Sequence, residues 1–170
     1  MKKFYITTPL YYVNDKPHIG HGYTTILADV LARYNKLIGK DVFFLTGTDE
    51  HGQKVQEAAL KLKRTPKKHV DKFHKNYIEL WEKLNIKYDK FIRTTDADHI
   101  KSVKKVLKNL WDRGEIYIDE YEGLYSVSEE RFITEKEYEE GNYREIKKLK
   151  EKNYFFKMSK YQDILIKHIK

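Results

Sequence analysis

Two histidines flank an isoleucine–glycine pair at His18-Ile19-Gly20-His21, just past a stretch that regular structure cannot cross. Pro9 and Pro17 each remove a backbone donor and fix φ. Ahead of them Phe4 to Thr8 favours a short buried strand; after them Ile19 to Leu37 repeats its apolar residues at helical spacing. A strand that breaks into a loop and restarts as a helix sets the helix N-terminus at the carboxyl edge of a sheet. Orphan N–H groups and the positive end of the helix dipole sit there, ready for an anion. His18 and His21 can donate hydrogen bonds to phosphoryl oxygens as negative charge builds on them. Gly20 has no side chain, so a planar base or a phosphate can lie against the backbone. A second candidate is Asp49, in Thr46-Gly47-Thr48-Asp49-Glu50-His51-Gly52. A carboxylate at a strand's carboxyl end can pair with a substrate ammonium; the plain alternative is a turn or helix-cap aspartate ahead of Gly52. A single histidine is more often hydrogen-bonded or solvated than catalytic, and His69, His74, His99 and His168 take that reading.

The elements that must hold these residues follow from periodicity. Tyr23, Ile26, Leu27, Val30, Tyr34 and Leu37 fall on one face of the first helix, and Gly39 stops it. Asp41 to Thr46 is a nearly continuous apolar run, suited to a central parallel strand covered on both sides. Strand, helix and strand within so short a span make a right-handed βαβ unit, whose ligands bind at the carboxyl edge. Gly52 to Lys63 is expected to be helical, and Thr65 caps a third helix with Pro66 at its first position. Its inward face is Val70, Phe73, Tyr77, Leu80 and Leu84. Lys90 to Thr94 is a strand; Asp98 to Arg113 is a helix with Ile100, Val103, Leu107, Leu110 and Trp111 inward, ended by Gly114. Beyond Gly114 the pattern changes to short antiparallel strands over Ile116–Ile118, Tyr121–Val127 and Arg131–Ile133. Thr134 and Glu137 form a capping-box pattern. A basic segment, Arg144 to Lys152, precedes a strand over Asn153–Lys157, and Ser159 is placed to cap a closing helix. The domain boundary is set at residue 114, giving 1–114 and 115–170.

The chain has 170 residues and a formal net charge of +8, enough for one domain with a core or one and a part. The basic balance favours a polyanionic partner or simply a solubilised helical surface. There is no cysteine, so disulfides and thiolate metal sites are excluded, which fits a cytoplasmic protein. No apolar run suggests a signal peptide or a membrane span.

His18-Ile19-Gly20-His21 reads as the HIGH signature of class I aminoacyl-tRNA synthetases. Four blocks in order narrow the likeness: residues 7–15 before the signature, 41–54, 121–137 and 153–162. Together they resemble the methionyl-tRNA synthetases over essentially the whole chain. The resemblance implies an α/β fold, the first half of a Rossmann-like parallel-sheet nucleotide-binding fold, followed by part of an inserted α+β connective-peptide domain. It implies ATP-dependent activation of L-methionine to methionyl-adenylate and transfer to tRNA(Met) in translation initiation and elongation. His18 and His21 would be catalytic; His18, Gly20, His21 and Asn14 would bind ATP, accompanied by Mg²⁺; Leu10, Tyr12 and Asp49 would bind methionine. A thioether suits a polarisable aromatic wall such as Tyr12.

Two departures matter. Zinc-bearing relatives carry cysteines where this chain has Ser126 and Glu129, so no structural zinc is expected. Lys157-Met158-Ser159-Lys160 looks like the second class I signature, but its flanks match the connective peptide, so Lys157 and Lys160 receive no catalytic role and are expected to be solvated or to lie near the tRNA acceptor end. The resemblance therefore implies that the second half of the nucleotide fold is missing from this chain, with the isolated piece inactive and a C-terminal half as its partner. The rivals are another HxGH adenylyltransferase and a non-catalytic synthetase-like tRNA-binding subunit.

Overall fold

The structure is a computed structural model that describes residues 2–141, 143 and 145–170. The chain forms two compact units, residues 1–103 and 104–170. The partition falls inside the helix Ala97–Asp112, which ends at Gly114 in the left-handed conformation, φ +69°.

The first unit is built on a parallel sheet. Its strands are β1 (Lys3–Thr7), β2 (Tyr11–Tyr12), β3 (Asp41–Asp49) and β4 (Lys90–Arg93), with helices α1 (Ile19–Leu37), α2 (Gln53–Lys61) and α3 (Pro66–Lys83) between them. β3 is central: β1 pairs with residues 41–45, β2 with Thr48 and Asp49, and β4 with residues 45–48, all in parallel. The expected βαβ unit is present, and β3 runs three residues beyond its apolar stretch. Those extra residues carry Asp49 to the carboxyl edge. Pro9 interrupts the first strand, and the buried hydroxyls of Thr8 and Thr46 meet at 2.8 Å where it breaks. Gly47 is required at its place, because a Cβ there would run into the backbone carbonyl of Ile92 on β4. The core joins Val13, Val42, Phe44, Val55, Val70, Tyr77 and Trp81.

The packing face of α1 differs from the expectation. Its buried residues are Gly22, Thr25, Ala28, Asp29, Ala32 and Asn35, whereas Tyr23 is 71% and Leu37 86% exposed. Small side chains let the helix axis approach the sheet closely, so the small face packs inward and the larger apolar series is left outward. α3 follows the expectation better. Thr65 caps it, accepting from the Lys68 N–H, with Pro66 in the first turn, and Val70 and Tyr77 are buried while Phe73 and Leu80 pack against the core. Leu84 is exposed instead, and Trp81 and His69 take fully buried positions.

The second unit is an antiparallel sheet, β6 (Arg131–Ile133), β5 (Ile116–Ser126) and β7 (Ile146–Phe156), with α5 (Glu135–Glu140), a 3-10 turn (Met158–Tyr161) and α6 (Gln162–Ile169). Residues 116–126 form one long strand rather than two. The basic segment, of which Arg144 lies outside the described residues, is not a prelude to a strand but part of one. Its lysines face the acidic residues of β5: Lys148 reaches Glu122 at 2.9 Å and Lys150 reaches Glu120 at 2.5 Å. Opposite charges across a ladder stabilise it where like charges would oppose it. The helix Ala97–Asp112, α4, has no fully buried residue, so the inward series expected for it is only partly covered, with Ile100 37% and Leu107 50% exposed. The capping box at Thr134 and Glu137 is formed. Ser159 is not the cap of α6; it lies within the 3-10 turn, and Tyr161 precedes α6 without a side-chain cap. Among the described residues no helix is long and apolar enough to cross a membrane.

Candidate active site

The two signature histidines cap α1 reciprocally. The Gly20 N–H donates to His18 Nδ1 at 3.1 Å, and the His18 N–H donates to His21 Nδ1 at 3.0 Å. The arrangement is a capping box with imidazoles in place of the usual hydroxyl and carboxylate. It fixes both tautomers. A backbone N–H can only donate, so each Nδ1 carries a lone pair and each ring holds its proton on Nε2. The rings lie 3.8 Å apart, inclined by 30°. Two Nε2–H donors therefore sit together at the positive end of a 19-residue helix whose first turn holds no acidic residue.

Burial, then the neighbouring His18, pushes the His21 pKa below its ordinary value of 6.5. The source of that burial is an aromatic wall. Tyr11 meets the His21 ring edge-on at 4.8 Å, and Tyr77 meets it edge-on at 5.5 Å. Tyr11 is anchored by its hydroxyl to Thr25 Oγ1 at 2.8 Å, and Tyr77 donates to the Tyr12 carbonyl at 2.9 Å. Burial, with Asp15 and Tyr11 adding to it, raises the Tyr77 phenol to about 12. Sequence reasoning gave Tyr77 a core role, which it has, but gave Tyr11 none. The signal for Tyr11 was its position beside Tyr12 on a two-residue strand, where one side chain must turn inward.

Gly20 has a local use: a Cβ there would come within 3.0–3.1 Å of the His18 ring. The space is occupied by the folded-back imidazole that caps the helix. Tyr12 and Asp49 are direct register partners on β2 and β3, and residues paired across a parallel ladder share a face, so the structure brings these two together. Asp49 Oδ1 accepts the His51 N–H at 3.3 Å and lies 3.5 Å from Thr94 Oγ1. Leu10 lies in the break between β1 and β2, partly exposed. Asn14 instead lines a cleft of about 430 Å³ with Asp15, Lys54, Glu57 and Lys61. The groove beside His18 is another one, about 420 Å³, walled by Pro17, Ile19, Gly22, Tyr23, Ile26, Leu80 and Leu84.

Glu50, to which the sequence assigned nothing, is a keystone of the loop after β3. Its side chain is fully buried. Arg93 grips it in a bidentate pair, Nε to Oε1 at 2.7 Å and an Nη2 donor to Oε2 at 2.9 Å. Thr48 donates to Oε1 at 3.0 Å and Thr95 to Oε2, while the Glu50 N–H donates to Thr94 Oγ1 at 2.8 Å. The same guanidinium reaches Asp71 at 2.6 Å. Burial works against the Arg93 charge, but the hydrogen bonds to Glu50 and Asp71 outweigh it and its pKa rises. The bonds from Lys67 and then Arg93 hold the Asp71 carboxyl below the usual range. Gly52, at φ +108°, then turns the chain into α2. His69, fully buried, donates from Nε2 to the Val13 carbonyl at 2.9 Å; a helix-face histidine thus braces the loop that leads to His18. Among the described residues no group of three or more His, Asp or Glu side chains could hold a metal ion.

In the second unit Ser126 is fully buried and its Oγ accepts the Glu129 N–H at 3.2 Å. Lys160 is not simply solvated. Its ammonium binds the buried Glu115 carboxylate at 2.7 Å, and that bond holds Glu115 below the usual carboxylate range.

The family described as tRNA synthetases class I (M) matches residues 4–142. A methionine–tRNA ligase of Clostridium tetani is 54% identical over 99% of the chain, and one of Enterococcus faecalis is 49% identical over 97%. The chain spans 27% of the length of each of these relatives. A methionyl-tRNA synthetase of Mycobacterium tuberculosis, solved in complex with methionyl-adenylate, superposes with a TM-score of 0.92 at 40% identity, covering 99% of this chain and 35% of that one.

Proposed function

The chain belongs to the tRNA synthetases class I (M), and from that membership we propose that it supplies the nucleotide- and amino-acid-activating part of a methionine–tRNA ligase. The reaction would be activation of methionine by ATP to methionyl-adenylate, then transfer of the methionyl group to tRNA(Met) for translation initiation and elongation, in the cytoplasm. Residues 1–114 would form the catalytic half-fold and residues 115–170 the connective insertion. The observation that carries the reading is the reciprocal imidazole box, which leaves two Nε2–H donors side by side at a helix N-terminus.

In this mechanism a methionine carboxylate oxygen attacks the α-phosphorus of ATP. The bond from that phosphorus to the bridging oxygen breaks, and pyrophosphate leaves with the electron pair. The carboxylate is already ionised at neutral pH, so no general base is required. His18 and His21 donate from Nε2 to phosphate oxygens whose charge grows in the transition state, and the helix dipole adds to them. They are effective as neutral donors because their proton positions are fixed before substrate arrives. Gly20 serves by admitting the folded-back His18 ring, and Asn14 would reach ATP only from the neighbouring cleft that it lines with Asp15 and Lys54. Asp49 pairs with the methionine ammonium, and Tyr12 and Leu10 line the thioether pocket, with Tyr12 held beside Asp49 by the β2–β3 register. Mg²⁺ would accompany ATP through phosphate oxygens and water, without a dedicated protein cage. Ser126 and Glu129 do not suit zinc: one is a weak ligand and is occupied by a backbone N–H.

The test is ATP–pyrophosphate exchange with a panel of amino acids. It is run on the chain alone and on the chain joined to the remaining length of the Clostridium tetani relative. Methionine should drive exchange in the joined protein. Exchange driven by a different amino acid would refute the substrate, and a folded, joined protein silent with every amino acid would refute the activity.

A further inference from the structure

The basic charge of the chain is concentrated in one place. Between Lys54 and Lys75 there are eight Lys or Arg residues and only two acidic ones, Glu57 and Asp71, so most of the formal +8 resides in the α2–α3 hairpin. Outside that stretch 26 basic residues are nearly balanced by 24 acidic ones, and several lysines are paired in space: Lys108 with Asp112, Lys148 with Glu122, Lys150 with Glu120 and Lys160 with Glu115. In the hairpin, Lys67 pairs with Asp71 at 2.6 Å. Lys61, Lys63, Lys68, Lys72 and Lys75 are all exposed, and no carboxylate lies within ion-pair distance of them among the described residues. Lys68, Lys72 and Lys75 recur at helical spacing and form one stripe along α3.

The placement of these cations opposes the helix that carries them. Lys67 and Lys68 occupy the first turn of α3, where no acidic residue is present. Positive charge at a helix N-terminus adds to the positive dipole end and destabilises it. Lys63 also adopts the left-handed conformation, φ +51°, which is uncommon for a non-glycine residue. A solubilising surface needs neither feature; a surface that meets a polyanion benefits from the first.

The hairpin also lies at the rim of the candidate site. Lys54 and Lys61 line the same cleft as Asn14 and Asp15, in the loop that leads to His18. His69 in the second turn of α3 holds the Val13 carbonyl of that loop, and Asp71 is bound to Arg93 at the carboxyl end of β4. The first turns of α3 are thus fastened to the edge of the sheet where the histidines sit.

We propose that the α2–α3 hairpin, through Lys61, Lys63, Arg64, Lys68, Lys72 and Lys75, is a docking surface for the phosphodiester backbone of the tRNA whose acceptor end is presented to the candidate site. This rests on the tRNA ligase reading for its choice of polyanion. Recognition is by charge and carries no sequence information.

The experiment measures binding of unmodified tRNA(Met) transcript to the 170-residue chain by fluorescence anisotropy from 50 to 200 mM salt. Wild type is compared with the triple variant Lys68→Gln, Lys72→Gln, Lys75→Gln. A control variant, Lys101→Gln, Lys104→Gln, Lys105→Gln on α4, removes the same net charge from other exposed positions. Each lost phosphate contact lowers the salt slope by about 0.9. The hairpin variant should therefore lose nearly three units of slope, about 40-fold of the affinity change across that salt range, while the control stays close to wild type. Equal losses in both variants, no loss in the hairpin variant, or no tRNA binding by wild type would each overturn the proposal. Circular dichroism melts of the three proteins verify that they are folded. Methionine-dependent exchange in the joined protein reads the ligase assignment separately, because none of these lysines belongs to the activation site. Absent exchange with intact, lysine-dependent tRNA binding would reject the ligase reading and leave the surface standing.

Discussion

Replacing Arg93 by methionine should destabilise the first unit by about 3–5 kcal/mol, the usual consequence of leaving a buried charge without its partner. The Glu50 carboxylate has no exposed side-chain surface and depends on the two guanidinium bonds at 2.7 and 2.9 Å for neutralisation. Thr48 and Thr95 would still donate to it, but hydroxyls bring no charge. Glu50→Gln should cost less, about 1–3 kcal/mol, because the amide keeps an acceptor and Arg93 retains Asp71 at 2.6 Å. The double variant should be less damaging than the sum of the two, with a coupling of roughly 1.5–3 kcal/mol, since removing both partners leaves no orphaned charge. Urea denaturation of the four proteins measures this cycle; with a slope of about 2 kcal/mol/M, Arg93→Met should shift the midpoint by about 2 M. Costs below about 1 kcal/mol with no coupling would refute a keystone role for the pair and show that the loop bearing Asp49 is held by other means.

Acid should loosen the helix start. The unfolded chain takes up a proton near the ordinary histidine value of 6.5, but folded His21 does so only at lower pH. The unfolded state therefore binds more protons in that window, and the melting temperature should fall as pH drops through 6.5; His18→Ala with His21→Ala should flatten that slope. Gly47→Ala should cost about 1–3 kcal/mol by forcing β4 away from β3, read as a lowered urea midpoint. Tyr77→Phe should remove the phenol that ionises near 12 from an ultraviolet alkaline titration and cost about 1 kcal/mol through the lost bond to the Tyr12 carbonyl.

Local patterns carried most of what the sequence disclosed. The proline-broken strand, the helix that starts at the signature and the apolar third strand are each contained within a few turns of chain, and the structure has them where they were expected; that the signature histidines cap the helix was not foreseen. The facing of α1 was not legible. A series such as Tyr23, Ile26, Leu27 and Val30 announces an apolar face, but periodicity cannot tell which face packs, and Gly22, Thr25, Ala28 and Ala32 approach the sheet more closely. The same limit applies to α4. Contacts between distant residues were equally hidden. Glu50 and Arg93 are 43 positions apart, and neither has a neighbour that announces the pair. The lysines of β7 read as a basic segment ahead of a strand because their acidic partners lie on β5, although the charged residues of both segments were visible. At the candidate site the histidines and Asp49 stood out by type and spacing, whereas Tyr11, Tyr77 and His69 support them through packing that only the fold creates.

The most direct test is the steady-state kinetics of methionine-dependent exchange in the protein joined to the Clostridium tetani remainder, with His21→Ala and Asp49→Ala. Two different signatures are expected. His21→Ala should lower kcat by about 10²–10³ with little change in the KM for methionine, because its donor is needed as charge develops. Asp49→Ala should raise the KM for methionine by about 10–100-fold, the loss of one charged hydrogen bond. Exchange that is unaltered in both folded variants would contradict the assignment of phosphate stabilisation to the imidazole box and of ammonium recognition to the end of β3.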